Sequence, residues 1–235
     1  MKSLKYFLCC FFPFACIAQP QKVTLTAHNL PHYSEYKNSS HQPLIADETF
    51  TGEAVSVVRC VFNALEQPLE IKVLPWKRAQ HEVSTGIADG FFAASQSATR
   101  DKFAVLSNAI AGQNWTWYYL KNNPLNPDST NFREKANVGA MLGANMRTWL
   151  VDNQYNISMT ANTYERLLQA LLSKRIDAVL ANDRVMDNLT RVHAKTIKSK
   201  LLRSKPVGVY FAKKFIEQYP GFIGSFNEKI PQCRE

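Results

Sequence analysis

The stretch TYERLLQALLSKRIDAVLAND, residues 163–183, decides how the rest of the chain is read. From Thr163 to Arg175 the leucines Leu167, Leu168, Leu171 and Leu172 fall on one face of a 3.6-residue period, which predicts an amphipathic helix. Asp177 to Leu180 is a short apolar strand, and Arg184 to Val192 reads as a further helix. A helix feeding a short apolar strand is the unit from which helix-covered parallel sheets are built. Working back towards the N-terminus, Val138–Leu142 reads as a strand, Asn145–Val151 as a helix and Ile157–Thr160 as a strand. Trp115–Leu120 is rich in β-formers, and a turn-laden loop, KNNPLNPDST, follows it.

The same alternation occurs earlier. Lys22–Ala27 is a strand that opens into a polar, aromatic loop, HNLPHYSEYKNSSHQP. A helix begins at Thr51-Gly52-Glu53, with Val55, Val58, Phe62 and Leu65 as its buried stripe. Glu70–Leu74 is a strand, Pro75 suits the first turn of the next helix, and Gly86 ends that helix. Ala88–Phe92 is a strand, and residues 93–110 read as a loop. Val207–Ala212 is the last strand, before C-terminal helical segments. Two βαβαβ runs predict two α/β units with mostly parallel sheets. In such sheets ligands sit beyond the carboxyl ends of the strands. The loops that begin at His28, Pro75, Ala93, Gly143 and Ala181 are therefore the places to look for a site.

Composition narrows the function classes. Hydrophobic residues make up 46% of the 235 and charged residues 20%, enough for a core and too apolar for a disordered chain. A mean hydropathy of −0.25, with no 18-residue apolar run in the body, excludes a polytopic membrane protein. The net charge of +9 is scattered with no run of five like charges, so the basic stripe expected of a nucleic-acid binder is missing. The N-terminus is basic at Lys2 and Lys5, then apolar from Tyr6 to Ala18, too short to span a bilayer. It ends in Cys16-Ile17-Ala18 before Gln19-Pro20, which predicts a secretory signal over residues 1–18 cut after Ala18. A lipid anchor on Cys16 is the rival, and Pro13 and Phe14 are bulky where it needs small residues; a buried N-terminal strand is the other alternative. Cleavage would remove Cys9, Cys10 and Cys16 and leave Cys60 and Cys233. In an exported chain these suggest one disulfide, with two free thiols as the alternative.

With these elements laid out, LPWKRAQHEVSTGIADGFFAASQSATRDKFAVLSNAI (residues 74–110) resembles the first lobe of the bacterial extracellular solute-binding protein family 3. Gly86, Asp89, Arg100, Phe103 and the run from Ser107 to Ile110 match its pattern loosely. VGAMLGANMRTWL and LLQALLSKRIDAVLAND resemble second-lobe units, and FNEKIPQCRE resembles the closing helix. The resemblance covers nearly all of the chain after the signal. It implies an α/β, two-lobed periplasmic-binding-protein-like fold with two hinge crossings and a central ligand cleft. Residues 19–112 and 205–235 would form lobe one and residues 113–204 lobe two. The crossings would lie near Ala111-Gly112-Gln113 and Ser204-Lys205-Pro206. Gly112 suits a hinge but is equally an ordinary turn glycine. The closing helix would carry Cys233 back onto lobe one, towards Cys60.

The resemblance also implies ligand-binding residues. Arg100 stands where the family forks an arginine onto a ligand carboxylate, a bidentate pairing that Lys cannot make. Read from the residues alone, a surface arginine at the start of a short helix fits as well. Ser95, Ser97 and Thr99 offer hydroxyls beside it. Gly143, Ala144 and Asn145 open a helix whose free N–H groups could hold an anion, although Asn145 could be a plain cap. Ala144 stands where the family usually has a hydroxyl. Tyr33, Tyr36, Trp76 and Phe92 could form an apolar wall; Phe91 and Phe92 alternate, so only one can face the cleft. Trp115, Trp117, Tyr118 and Tyr119 read as packing, and His28, His32 and His41 as polar contacts rather than a metal cluster. Many relatives carry an acid five positions after the Asp of their D-A-V unit, to meet a ligand ammonium. Here Asn182 stands there with Asp183 next, and Glu35 and Glu53 are the other acids considered. Either Asn182 or Asp183 could face the cleft.

These readings imply a monomeric periplasmic protein that captures a small-molecule ligand, amino-acid-like or otherwise carboxylate-bearing, for an ABC-type permease. No cofactor, metal or nucleic-acid partner is expected. A sensor for a membrane signalling partner is the alternative, with a dehydratase-like enzyme behind it. The sequence has no HExxH, GxSxG or CxxC motif, so no catalytic residue is expected.

Overall fold

A computed structural model describes residues 20–37, 40 and 42–234; the signal reading of residues 1–18, the Cys16 anchor and His41 lie outside the described residues. The chain runs through β1 (Val23–Ala27), β2 (Glu35–Tyr36), β3 (Phe50–Thr51), α1 (Glu53–Ala64), β4 (Leu69–Val73), α2 (Trp76–Ser84), β5 (Gly90–Ser95), α3 (Ala98–Asp101) and β6 (Ala104–Leu106). It continues through β7 (Asn114–Leu120), α4 (Phe132–Lys135), β8 (Asn137–Met141), α5 (Asn145–Asp152), β9 (Asn156–Ala161), α6 (Tyr164–Leu172), β10 (Ala178–Asn182) and α7 (Asp183–Thr190). A short 3₁₀ turn (Arg191–His193), β11 (Ile197–Ser204), β12 (Val207–Ala212), α8 (Lys213–Gln218) and α9 (Phe222–Cys233) complete it.

Local chemistry sets the ends of these helices. Pro75 is the N-cap of α2, and Gly86 turns the chain away after it in the left-handed region at φ +77°. The Thr163 hydroxyl accepts from the Arg166 N–H at 3.4 Å to cap α6, and the Asn182 side chain accepts from the Arg184 N–H at 3.0 Å to cap α7. The buried stripe of α1 includes Val55, Val58 and Phe62, while Leu65, at its C-cap, is half-buried.

Two five-stranded sheets result, ordered β4-β1-β5-β12-β6 and β11-β7-β10-β8-β9. In the first, β1 is parallel to β4 and β5, and β12 is antiparallel to β5 and β6. In the second, β8 is parallel to β9 and β10, and β7 is antiparallel to β10 and β11. Each sheet thus has a single strand running against the rest. That strand, β7 or β12, is the first one laid down after the chain passes from one sheet to the other. The two passages pair with each other: the Lys205 N–H donates to Gln113 O at 2.8 Å, and the Val207 N–H to Ala111 O at 3.0 Å.

Four parts of the chain depart from the sequence reading. β5 runs on to Ser95, and α3 and β6 form within the stretch read as a loop. β2 and β3 pair out of the polar loop and the start of α1. α4 is a single turn anchored by buried Phe132. β11 was not anticipated, because it lies at a sheet edge with mostly exposed residues, including Lys198, Lys200 and Arg203. Charges on an edge strand hinder pairing with other chains, and they also erase its apolar alternation.

α9 packs along α1, where Phe62 meets Phe226 and Phe222 at ring-centroid distances of 5.8 and 6.0 Å. Cys60 and Cys233 are joined there by a disulfide across 173 sequence positions. Among the described residues, no helix is long and apolar enough to cross a membrane.

Gly52 permits the close approach of the loop to α1. Its φ is +133°, and a Cβ on it would come within 2.5 Å of the Tyr33 backbone carbonyl. Gly52→Ala is therefore expected to cost about 1–3 kcal/mol or more, read as a lowered denaturation midpoint. An unchanged midpoint would mean that the loop shifts freely.

Candidate functional site

A cavity of about 40 Å³ lies between the two sheet units. One wall comes from the first unit: His28 and Leu30 after β1, Trp76 opening α2, Ala93 and Ser95 in β5, and Arg100 in α3. The other comes from the second: Met141 ending β8, Asn145 and Met146 opening α5, Tyr164 and Asn182. β1, β5, β8 and β10 all present their carboxyl ends here, as open α/β sheets do at ligand sites. The space holds a few waters at most, so an organic ligand requires the units to separate or side chains to move. They are held together by Asn145, whose Nδ2 lies 2.7 Å from Ser95 O, 3.0 Å from Ser95 Oγ and 3.0 Å from Gln96 O. An Arg184–Glu53 ion pair joins α7 to α1.

Arg100 is 3% exposed. Its Nη1 donates to Ser95 O at 2.7 Å and its Nε to Gln80 Oε1 at 2.9 Å. The guanidinium lies 5.1 Å from the Trp76 ring and 5.8 Å from the Phe91 ring. Among the described residues, Nη2 has no hydrogen bond to protein and no carboxylate forms an ion pair with the side chain. Burial pulls its pKa down to about 10, so it stays charged at neutral pH. The adjacent Asp101 is turned to other donors: the Tyr210 hydroxyl at 2.6 Å and the Gln96 amide. A buried cation without a carboxylate is costly unless something else neutralises it.

Among the described residues, two further buried polar atoms in the cavity wall have no hydrogen-bond partner, His28 Nδ1 and Asn182 Nδ2. His28 lies against Trp76 at a centroid distance of 4.3 Å. Burial, reinforced by the Arg100 charge, pushes its pKa down to about 3. A lowered folded-state pKa means that His28 subtracts nothing above the unfolded value of about 6.5 and weakens the fold as the pH falls below it. Its contribution should drop by about 1.4 kcal/mol per pH unit over that range. Denaturant unfolding at pH 7.5 and pH 5.0 checks this: His28→Asn should lose about 2 kcal/mol less than the parent between the two. Equal losses would mean that the folded imidazole protonates freely.

β5 carries a bulge at the cavity edge. Ala93 has φ +57°, and the pairing with β12 skips it, passing from Phe92–Val209 to Ala94–Gly208. Such a bulge re-aims the following residues, here Ala94 and Ser95.

Of the residues singled out in the sequence, Arg100, Ser95, Trp76, Asn145 and Asn182 meet in this cavity. Tyr33, Tyr36, Phe92, Gly143 and Asp183 do not line it. The Tyr33 hydroxyl donates to Gly112 O at 2.7 Å, tying β1's loop to the first passage between the sheets. The Tyr36 ring packs at a tilt against Phe50, and its hydroxyl donates to Pro43 O. Phe92 is fully buried in the core, whereas Phe91 is the one that underlies Arg100 and Trp76. Gly143 lines an outer groove together with Ser97 and Thr99. Asp183 accepts from Asn114 N at 2.9 Å and Asn114 Nδ2 at 2.8 Å. Glu35 accepts from the His32 N–H at 2.9 Å, so neither it nor Glu53 is directed at the cavity. Trp115, Trp117, Tyr118 and Tyr119 are buried packing residues. Gln113, Met141 and Tyr164 also line the cavity with no signal in the sequence as ligand contacts, and His28, read as a polar contact, is marked only by its position beyond a strand end.

The two sheet units and the cavity between them define a two-lobed α/β architecture. Solved structures share it. A histidine kinase sensor domain with similarity to periplasmic binding proteins superposes with a TM-score of 0.75 at 12% identity, over 91% of this chain and 90% of that one. A substrate-binding protein of an ABC uptake transporter from Streptococcus pneumoniae, with bound histidine, gives 0.73 at 13% identity, covering 92% and 87%. The GluR0 ligand-binding core from Nostoc punctiforme, in complex with L-glutamate, gives 0.71 at 14% identity, covering 90% and 92%. The sequence matches no protein-family model and no curated protein. The periplasmic-binding-protein-like fold expected from the sequence is therefore the fold of this chain.

Proposed function

We propose that this chain is an exported, periplasmic solute-binding protein that captures a small carboxylate-bearing solute between its lobes and passes it to an ABC-type permease. One observation carries the reading: Arg100 is a 3%-exposed cation on the wall of the interlobe cavity, with no carboxylate paired to it among the described residues. A solute carboxylate would supply the missing charge through a bidentate pair. The lobes would be residues 19–112 with 205–235, and 113–204, moving about the paired passages near Gly112 and Lys205. Arg100, Ser95, Trp76, Asn145 and Asn182 would contact the solute. The protein would act as a monomer without cofactor or catalysis.

The test is mass spectrometry of small molecules released by mild denaturation of the purified protein, followed by thermal-shift titration with each. Release of a carboxylate that stabilises the apoprotein supports the reading, and its recovery chemically altered would make the protein an enzyme. The likeness to a sensor domain supports a second role on the same binding chemistry, ligand presentation to a membrane signalling partner. Crosslinking in cells separates the two by whether a permease or a kinase is captured.

A further inference from the structure

We infer that the solute is an organic anion that carries no cationic amine, and that Asn182 helps set this preference. The inference rests on the reading that the cleft takes a carboxylate-bearing solute, and it comes from the charge and hydrogen-bond inventory of the walls. Among the described residues lining the cavity, Arg100 is the one permanent charge, and no Asp or Glu is present. The outer groove meets the cavity at Arg100 and Asn145, and it adds Lys77 and Arg147 with no acidic residue. The nearby carboxylates are engaged elsewhere: Asp101 by Tyr210, Asp183 by Asn114, Asp187 by the Tyr118 hydroxyl at 2.6 Å and Glu53 by Arg184.

The acceptors that an ammonium would need are largely occupied as well. Asn182 Oδ1 takes the Arg184 N–H at 3.0 Å, Ser95 O takes both Arg100 and Asn145, and Gln113 Oε1 takes the Trp115 indole N–H at 3.2 Å. What remains unpaired among the described residues is mostly donor: Asn182 Nδ2, 1% exposed as a residue, and Arg100 Nη2. His28 Nδ1 is the other free atom, and a neutral imidazole serves a hydroxyl or oxo group without needing a cation. An ammonium placed here would be desolvated beside Arg100 with no carboxylate to meet it. A carboxylate or second oxygen acceptor would satisfy both free donors. The basic groove outside would draw such anions in.

The experiment is calorimetric titration with pairs in which an oxo or hydroxyl group replaces the amine: 2-oxoglutarate against L-glutamate, L-malate against L-aspartate, and phenylpyruvate against L-phenylalanine. The amine-free member of at least one pair should bind at least ~30-fold more tightly. Asn182→Asp keeps the helix cap and adds a negative charge to the wall, so it should narrow that ratio by ~10-fold or more. Amino acids binding as well as or better than their amine-free partners, with the binding lost in Arg100→Ala, would overturn this inference and leave the carboxylate-binding reading standing. A ratio unmoved by Asn182→Asp would remove Asn182 from the specificity. No binding by any member, or binding indifferent to Arg100→Ala, would overturn both.

Discussion

Arg100→Ala is expected to weaken binding of a carboxylate solute by roughly 30- to 1,000-fold, equivalent to about 2–4 kcal/mol. The size follows from burial. At 3% exposure the guanidinium would meet a carboxylate in a place largely closed to water, where a charge-assisted fork is strong and a stranded carboxylate is penalised. Trp76 and Phe91 flank the guanidinium, and Ser95 O and Gln80 Oε1 hold Nη1 and Nε, so the side chain is oriented before a solute arrives. Arg100→Lys should recover only part of the loss, because an ammonium is a point charge without the planar fork. Calorimetry with a carboxylate identified from the purified protein measures all three forms. Equal affinities would make Arg100 a packing residue. Loss of folding in Arg100→Ala would make it structural, and Arg100→Lys would then carry the affinity comparison.

Removing the Cys60–Cys233 disulfide is expected to cost about 3–5 kcal/mol and lower the melting temperature by roughly 10 °C. The crosslink closes a loop of 173 positions, which includes the whole second sheet and most of the first. Without it the unfolded chain regains the freedom to separate its ends, and α9 is left to hold α1 by the Phe62, Phe222 and Phe226 contacts alone. The double variant Cys60→Ala, Cys233→Ala, compared with the oxidised parent by thermal unfolding, gives the number. An unchanged melting temperature would mean that aromatic packing alone fixes the closing helix. No residue of α1 or α9 lines the cavity, so solute affinity at a temperature where both forms are folded should be unchanged.

What the sequence determined by itself was the α/β class and the order of the principal strands and helices; the sheets are mixed rather than mostly parallel, since β7 and β12 pair antiparallel with both of their neighbours. Val207–Ala212 has the bounds read for it, and the helix carrying Leu167, Leu168 and Leu171 buries those side chains, because apolar periodicity is a direct record of which face meets the core. It also pointed to the carboxyl ends of the strands, where the strand ends and the segments that follow them supply His28, Trp76, Ala93, Ala144 and Asn182 to one cavity. This follows from topology, since parallel strands covered by helices leave their carboxyl ends open. Charged β11 and short β6 were hidden, since edge position and brevity remove the pattern that a strand leaves in a sequence.

Tertiary structure alone decided which side chains meet. Alternation allowed either Phe91 or Phe92 towards the cavity, and Phe91 is the one that meets Trp76 edge-on and lies under the Arg100 guanidinium. Asn145 could have been a simple cap; Ala144 takes that position instead, and the Asn145 amide reaches across to Ser95 and Gln96 on the other unit. Asn182 and Asp183 are adjacent in the chain, yet one lines the cavity and the other binds Asn114, because the end of β10 turns directly into α7 between them. Contacts between residues some fifty positions apart leave no local period to read, and the charge state of the cleft is set by those contacts.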